Sequence, residues 1–257
     1  MNIPVINISS FLSGNNADSA SAPSVVDAVR SAAINPGFFQ IVGHDISPSR
    51  ADQFFNALRT FFGQPTEVKQ AITQELSVSP RGYEPLGAQQ LEKGVRDLKE
   101  GFVWGSEQSP DRQDINPMAR GPNKWPASDT MPDFARVQSE MLQFYEDVFI
   151  LGQAVLRILA LGLGLSEDYF QPLVEGDGAI VTCRAHRYMP RREEETIPGT
   201  RGVGAHTDFG ALTLLMQDDV GGLEVFDRAS ETWHPVQPVP GALVVNLGDL
   251  MGKYRQP

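Results

Sequence analysis

From Gly178 onward the sequence changes texture, and that change restricts the fold more than any other feature of the chain. Short runs that read as strands follow one another: AIVTCRAHRYM, GVGAHTD, ALTLLMQ, LEVFD, WHPVQPV and ALVVNLGDLM. Turn-forming residues separate them, among them Asp218-Asp219-Val220-Gly221-Gly222 and Pro238-Val239-Pro240-Gly241. Strands this short and this closely spaced pair with their chain neighbours, which argues for an antiparallel sandwich or barrel.

The preceding half is patterned differently. IPVINIS alternates apolar and polar residues like a short strand. APSVVDAVRSAAINPG predicts a helix, with Ser24 as its N-cap and Asn35-Pro36-Gly37 as its stop. FFQIVGH is a strand of aromatic and β-branched residues, and SRADQFFNALRTFFG a second helix that ends near Gly63. Residues 77–132 are rich in Gly, Pro and polar side chains and are expected to wrap the surface as loops. The longest helical pattern follows, with Phe134, Val137, Met141, Phe144 and Val148 on one stripe. The expected fold class is therefore α+β, a helical N-terminal region packed on a C-terminal β-fold.

Composition narrows the function. The chain has 257 residues, 41% apolar and 21% charged, and a net charge of −11. That field repels nucleic acid and acidic membrane surfaces, so the expected partner is a small molecule, with no nucleic acid and no membrane. The single cysteine, Cys183, forbids an internal disulfide and suits a reducing, cytoplasmic setting. The opening MNIPVINISSFLSG lacks the basic start and apolar core of a secretory signal. VFILGQAVLRILALGLGL is interrupted by Gln153 and Arg157, which marks a core helix rather than a membrane span.

Within GVGAHTD, His206 and Asp208 stand two apart, and in a strand residues two apart share a face. Imidazole plus carboxylate suits Fe(II), with Zn(II) as the main competitor. The plainer alternative is a surface turn in which Asp208 caps a bend, since His-x-Asp is a short pattern. The remaining candidates read as structural. His44 is a packing element, His234 faces solvent, and Asp249 fixes a turn. Asp97, Lys99 and Glu100 form a solvated charged loop, with the border of a substrate entrance as the second reading. Arg191, Arg192 and Glu193 to Glu195 form an exposed mixed charge run.

Several of these segments together resemble the isopenicillin N synthase-like family of Fe(II)/2-oxoglutarate-dependent dioxygenases. The resemblance runs through IPVINIS, GFFQIVGHDI, RGYEPLG, DLKEGFVWG, GPNKWP, CRAHRYMP, GVGAHTDFGALTLLMQDDVGGLEVF and WHPVQPVPGALVVNLGDLM, nearly the whole chain. It implies a double-stranded β-helix, or jelly roll, C-terminally incomplete. Its domain plan would be an N-terminal region over residues 1–120, a long core helix with connections over 121–177, and the jelly roll over 178–257. By position it makes His206 and Asp208 iron ligands, with no catalytic side chain beyond the ligands. Tyr188 would donate its hydroxyl to the distal carboxylate of 2-oxoglutarate. His186, where the family often has Asn, would either face the same cosubstrate or support the strand. Met189 intrudes before Pro190, so the family's Tyr-Pro element is imperfect.

The resemblance also implies O₂ as co-reactant and ascorbate as a reductant. The family's second histidine ligand and its Arg-x-Ser follow His-x-Asp, whereas no histidine follows His234 here and the third ligand is absent from the chain. Gly252-Lys253-Tyr254-Arg255 looks like a later family element joined early. The expected function is an oxygenase that hydroxylates, desaturates or closes a ring on a small organic substrate, as a monomer when complete. A catalytically inactive truncated remnant or binding module is the first alternative, and a zinc-dependent hydrolase the second.

Overall fold

The computed structural model describes residues 3–13, 22–76, 79–108, 121–176, 178–190 and 200–252. The charge run Arg191 to Glu195 and the segment Lys253 to Arg255 lie outside them. In chain order the elements are β1 (Val5–Asn7), α1 (Ser9–Leu12), α2 (Ala22–Ile34), β2 (Phe38–Val42), α3 (Pro48–Phe62), α4 (Thr66–Gln70), β3 (Gly82–Glu84), β4 (Arg96–Asp97) and β5 (Lys99–Trp104). They continue with α5 (Phe134–Gly162), β6 (Cys183–Tyr188), β7 (Thr200–Arg201), β8 (Leu212–Leu215), β9 (Glu224–Asp227), β10 (Thr232–Pro235), β11 (Leu243–Leu247) and α6 (Asp249–Gly252). Two short 3-10 turns occur at Gln74–Leu76 and Gln171–Leu173.

The chain divides into two compact units. The first comprises Met1–Ala51, Val148–Pro172 and Thr207–Pro257, and the second Asp52–Asp147 and Leu173–His206. In the first unit a four-stranded sheet has the order β1-β2-β11-β8. Its β1 runs parallel to β2, and β11 is antiparallel to both β2 and β8. Central β11 carries the run Leu243, Val244, Val245, all essentially buried, as a strand covered on both faces requires. A separate hairpin pairs β9 with β10, and Val225 and Val236 pack there with Ile3 and Val244.

In the second unit the sheet order is β3-β5-β6, both pairings antiparallel, and β4 pairs in parallel with β7. Within this unit the predicted stripe holds: Val137, Met141 and Phe144 are buried, and the Phe144 ring stacks on Phe54 of α3 at 3.7 Å. Each such side chain contributes about 1.5–3 kcal/mol by leaving water. The Trp104 indole of β5 donates to the Met141 carbonyl at 3.1 Å, so this buried N–H is paired.

Four expectations need correcting. Residues 77–132 contain β3, β4 and β5 rather than loops alone. Asp97, Lys99 and Glu100 are not a solvated loop: they are 0%, 6% and 2% exposed. Glu100 is matched by Lys69 and Arg187, both distant in sequence, and Asp97 accepts the Gly204 N–H, which is what permits their burial. Ser24 lies inside α2, which begins two residues earlier, so it is not the N-cap. Finally, residues 202–208 form no strand, so strand alternation does not put His206 and Asp208 on one face.

Candidate active site

The β3-β5-β6 sheet has two faces of opposite character, fixed by register. Across the three strands Glu84 pairs with Gly101 and Gly101 with His186, while Lys99 pairs with Tyr188 and Val103 with Arg184. Because alternate residues point to opposite sides, Glu84, Lys99, Gly101, Arg184, His186 and Tyr188 share one face. Tyr83, Glu100, Phe102 and Trp104 take the other.

That second face is bonded internally. Glu100 Oε2 accepts from Lys69 Nζ at 2.7 Å and from the Tyr83 hydroxyl at 2.6 Å, and Oε1 accepts from Arg187 at 3.1 Å. Lys69 also donates to the Phe62 carbonyl at 2.9 Å. Burial, then the bond to Glu100, push the Tyr83 phenol well above its usual pKa, so it remains a donor.

The first face carries the two expected cosubstrate contacts. The rings of His186 and Tyr188 lie 6.2 Å apart, centroid to centroid. Partial burial and then the Asp97 carboxylate raise the pKa of the Tyr188 hydroxyl, which stays protonated at neutral pH. His186 is pushed down to about 3, first by burial and then by the charges of Lys99, Arg184 and His206, so it is a neutral imidazole. Its Nδ1 is buried and has no hydrogen-bond partner among the described residues. Glu84 Oε1 accepts from Arg184 and from Gln89 Nε2, each at 2.7 Å.

The loop that leads to His206 is pinned to the same unit. Asp97, fully buried, accepts from the Gly204 N–H at 2.9 Å, Glu92 accepts from the Ala205 N–H at 3.1 Å, and the Leu98 N–H donates to the Arg201 carbonyl at 2.7 Å. The His206 ring is exposed, and its Nδ1 lies 2.9 Å from the Gly204 carbonyl. A carbonyl only accepts, so Nδ1 carries a proton, and in the neutral ring Nε2 then holds the lone pair. This is the tautomer that a metal-binding histidine needs.

Asp208 belongs to the first unit. Its Oδ2 accepts from the Thr213 hydroxyl at 2.6 Å and from the Asn246 amide at 2.7 Å. Its backbone carbonyl accepts from the Asp249 N–H at 2.8 Å, and Asp249 Oδ2 accepts from the Thr207 hydroxyl at 2.9 Å. Gly248 makes this close approach possible, since a Cβ there would sit 2.7 Å from the Asp208 carbonyl oxygen and overlap that of Gly210. The two residue types fit Fe(II) chemically: an imidazole protonated at Nδ1, whose neutral form donates through Nε2, and a carboxylate oriented by two hydrogen bonds. Among the described residues no group of three or more His, Cys, Asp or Glu side chains is placed to hold a metal ion.

The other histidines have structural partners. His44 is buried, with Nε2 at 2.7 Å from the Gly241 carbonyl. His234 is half-buried on β10 beside Thr232, at 2.9 Å.

Comparison with known proteins identifies the family. Residues 3–128 match the N-terminal region of the non-haem dioxygenases of morphine synthesis, and residues 177–256 match the 2OG-Fe(II) oxygenase superfamily. The chain belongs to the 2OG-Fe(II) oxygenase superfamily. It is 42% identical over 251 residues to the 2-oxoglutarate-Fe(II) type oxidoreductase hxnY of Emericella nidulans, covering 96% of this chain and 70% of that one. It is 38% identical to the 2-oxoglutarate-dependent dioxygenase citB of Monascus ruber, covering 98% of this chain and 75% of that one. Among solved structures, a full-length Neurospora crassa protein in complex with alpha-KG and thymine superimposes with a TM-score of 0.83 at 28% identity, covering 98% of this chain and 75% of that one. The fold is accordingly the oxygenase jelly roll with helices, and the chain is a 2-oxoglutarate-dependent dioxygenase that uses Fe(II), 2-oxoglutarate and O₂. No helix among the described residues of this oxygenase is long and apolar enough to cross a membrane.

Sequence reading does not single out Glu84, which shares a face with His186 and Tyr188, or its partner Gln89. Their signal lies in and just after the segment RGYEPLG, which by itself marks only the family.

Proposed function

We propose that His206 and Asp208 are two ligands of the iron, that Tyr188 and His186 contact 2-oxoglutarate, and that the reaction hydroxylates, desaturates or closes a ring on a small organic substrate. The observation that carries the reading is the 2.9 Å contact from His206 Nδ1 to the Gly204 carbonyl, which puts a proton on Nδ1 and makes Nε2 the donor nitrogen of the neutral ring. Bound Fe(II), with 2-oxoglutarate and O₂, supplies the oxidising chemistry, releasing succinate and CO₂.

The chain's own groups bind and orient. Thr213 and Asn246 hold the Asp208 carboxylate in one rotamer. The Tyr188 hydroxyl, kept protonated, donates to a cosubstrate carboxylate. His186, neutral across the physiological range, adds no charge beside that carboxylate and can donate or accept. A small-molecule substrate is supported by the Neurospora crassa protein, whose solved complexes hold thymine and 5-formyluracil.

Anaerobic calorimetry with Fe(II) tests the ligand pair. His206→Ala and Asp208→Ala should each abolish the binding seen in the unsubstituted chain. Equal iron affinity in all three proteins would remove both residues from the metal site.

A further inference from the structure

The loop that leads into His206 offers successive peptide groups to two carboxylates. The Gly204 N–H donates to Asp97 Oδ1 at 2.9 Å, and the Ala205 N–H donates to Glu92 Oε2 at 3.1 Å. The second N–H belongs to the peptide group that joins Gly204 to Ala205. The carbonyl of that same group is the one 2.9 Å from His206 Nδ1. One planar amide therefore has a carboxylate at its N–H and an imidazole N–H at its oxygen. Glu92, the Gly204–Ala205 peptide and His206 form a single hydrogen-bonded row.

Glu92 is seated on this peptide from several sides. A Cβ on Gly204 would lie 2.6 Å from Glu92 Cβ and 2.8 Å from the Glu92 backbone nitrogen, so glycine is what lets the two segments come this close. The Val95 N–H donates to the Glu92 carbonyl at 3.0 Å and closes a turn that fixes the residue within its own segment. Arg201 Nη1, 3.3 Å from Oε2, holds the carboxylate in place. A hydrogen bond to a charged acceptor is roughly twice as strong as one between neutral groups. Pulling on the N–H of an amide also shifts electron density to its oxygen, because bonds in a chain polarise one another. The Gly204 carbonyl then accepts more strongly from His206 Nδ1. An imidazole in water favours the proton on Nε2, which would block the nitrogen that a metal needs. This row favours the opposite form.

We propose that Glu92 is a positioning residue for the iron site: its charge, acting through the Gly204–Ala205 peptide, keeps the His206 proton on Nδ1 and leaves Nε2 open to the metal. Asp97 anchors the preceding peptide and does not bond the group that His206 uses. The assignment rests on the reading of His206 as an iron ligand, and it adds what prepares the ring before metal arrives.

Two measurements on the whole chain test it, the first without metal so that failure here is separable from failure of the ligand reading. Long-range proton–nitrogen NMR of the metal-free chain at pH 8 shows which ring nitrogen of His206 carries the proton, and His206→Ala identifies the signals. The unsubstituted chain should carry it on Nδ1, and Glu92→Ala should shift the ring toward the Nε2–H form. Glu92→Gln has the same shape and keeps a neutral acceptor, so it should fall between the two. Fe(II) affinity, by anaerobic calorimetry, should drop about tenfold in Glu92→Ala and about threefold in Glu92→Gln. The Glu92 side chain is 33% exposed, so neither variant empties a core position. The proposal is overturned by an unchanged tautomer in Glu92→Ala, by iron affinity lost with the tautomer intact, or by Glu92→Gln matching the unsubstituted chain in both measurements. Undiminished iron affinity in His206→Ala alongside a shifted tautomer in Glu92→Ala would overturn the ligand reading and the iron role, while the hydrogen-bonded row itself would stand.

Discussion

Replacing Lys69 by Met probes the charge network behind the functional face. The Lys69 ammonium is 2.7 Å from Glu100 Oε2, with side-chain exposures of 6% and 3%, so neither group can turn to water when its partner goes. Breaking a buried pair by removing one member costs about 3–5 kcal/mol, because the other charge is left uncompensated. Here Glu100 keeps the Tyr83 hydroxyl and Arg187, which places Lys69→Met near the lower end, about 3 kcal/mol. Against a total stability of roughly 5–15 kcal/mol, that loss is readily measured. Equilibrium unfolding in urea gives the value from the shift in midpoint at constant slope. The double variant Lys69→Met, Glu100→Leu removes both charges and should fall short of the sum of the single losses by about 1 kcal/mol or more. A Lys69→Met loss below about 1 kcal/mol, or strict additivity in the double variant, would show that the pair is not desolvated as described.

Two further outcomes follow from the site. His186 has its pKa lowered to about 3 from 6.5, so below pH 6.5 the unfolded chain takes up a proton that the folded chain refuses. Its contribution to stability is therefore complete above pH 6.5 and is lost as the pH falls toward 3, by at most about 1.4 kcal/mol per pH unit. His186→Asn should reduce the proton uptake on unfolding at pH 4 to 5 by close to one, and unchanged uptake would contradict the assignment. Thr213→Val and Asn246→Leu each remove one hydrogen bond from Asp208 Oδ2. Fe(II) affinity should drop about tenfold to hundredfold in each by anaerobic calorimetry, and undiminished affinity would mean that these bonds do not orient a ligand.

The elements legible in the sequence were those whose burial follows apolar spacing. The stripe Val137, Met141, Phe144 and the run Leu243 to Val245 behave as hydrophobic periodicity demands. The strands β3 to β5 were not legible because their buried side chains include Lys99, Glu100, Asp97 and Glu84. Charge normally marks solvent, and the partner that cancels it here, Lys69 for Glu100, is 31 residues away in the chain. No local window contains that pairing. His206 and Asp208 stand out by their spacing and chemistry, and the resemblance to the family turns them into iron ligands. The strand geometry invoked for them failed because the loop is shaped instead by Asp97 and Glu92, which accept its N–H groups from a distant segment.

Strand β5 also has a consequence for how errors spread through this unit. Its even-numbered positions, Glu100, Phe102 and Trp104, hold the strand to the aromatic and charged network behind it, while the odd-numbered Lys99, Gly101 and Val103 take the opposite side. All six residues are buried, so neither side has slack. A side chain at Gly101 would push first on Glu84 and His186, whereas a change at Glu100 would unsettle Lys69, Tyr83 and Arg187. Adjacent letters of one short strand thus report damage to different neighbours.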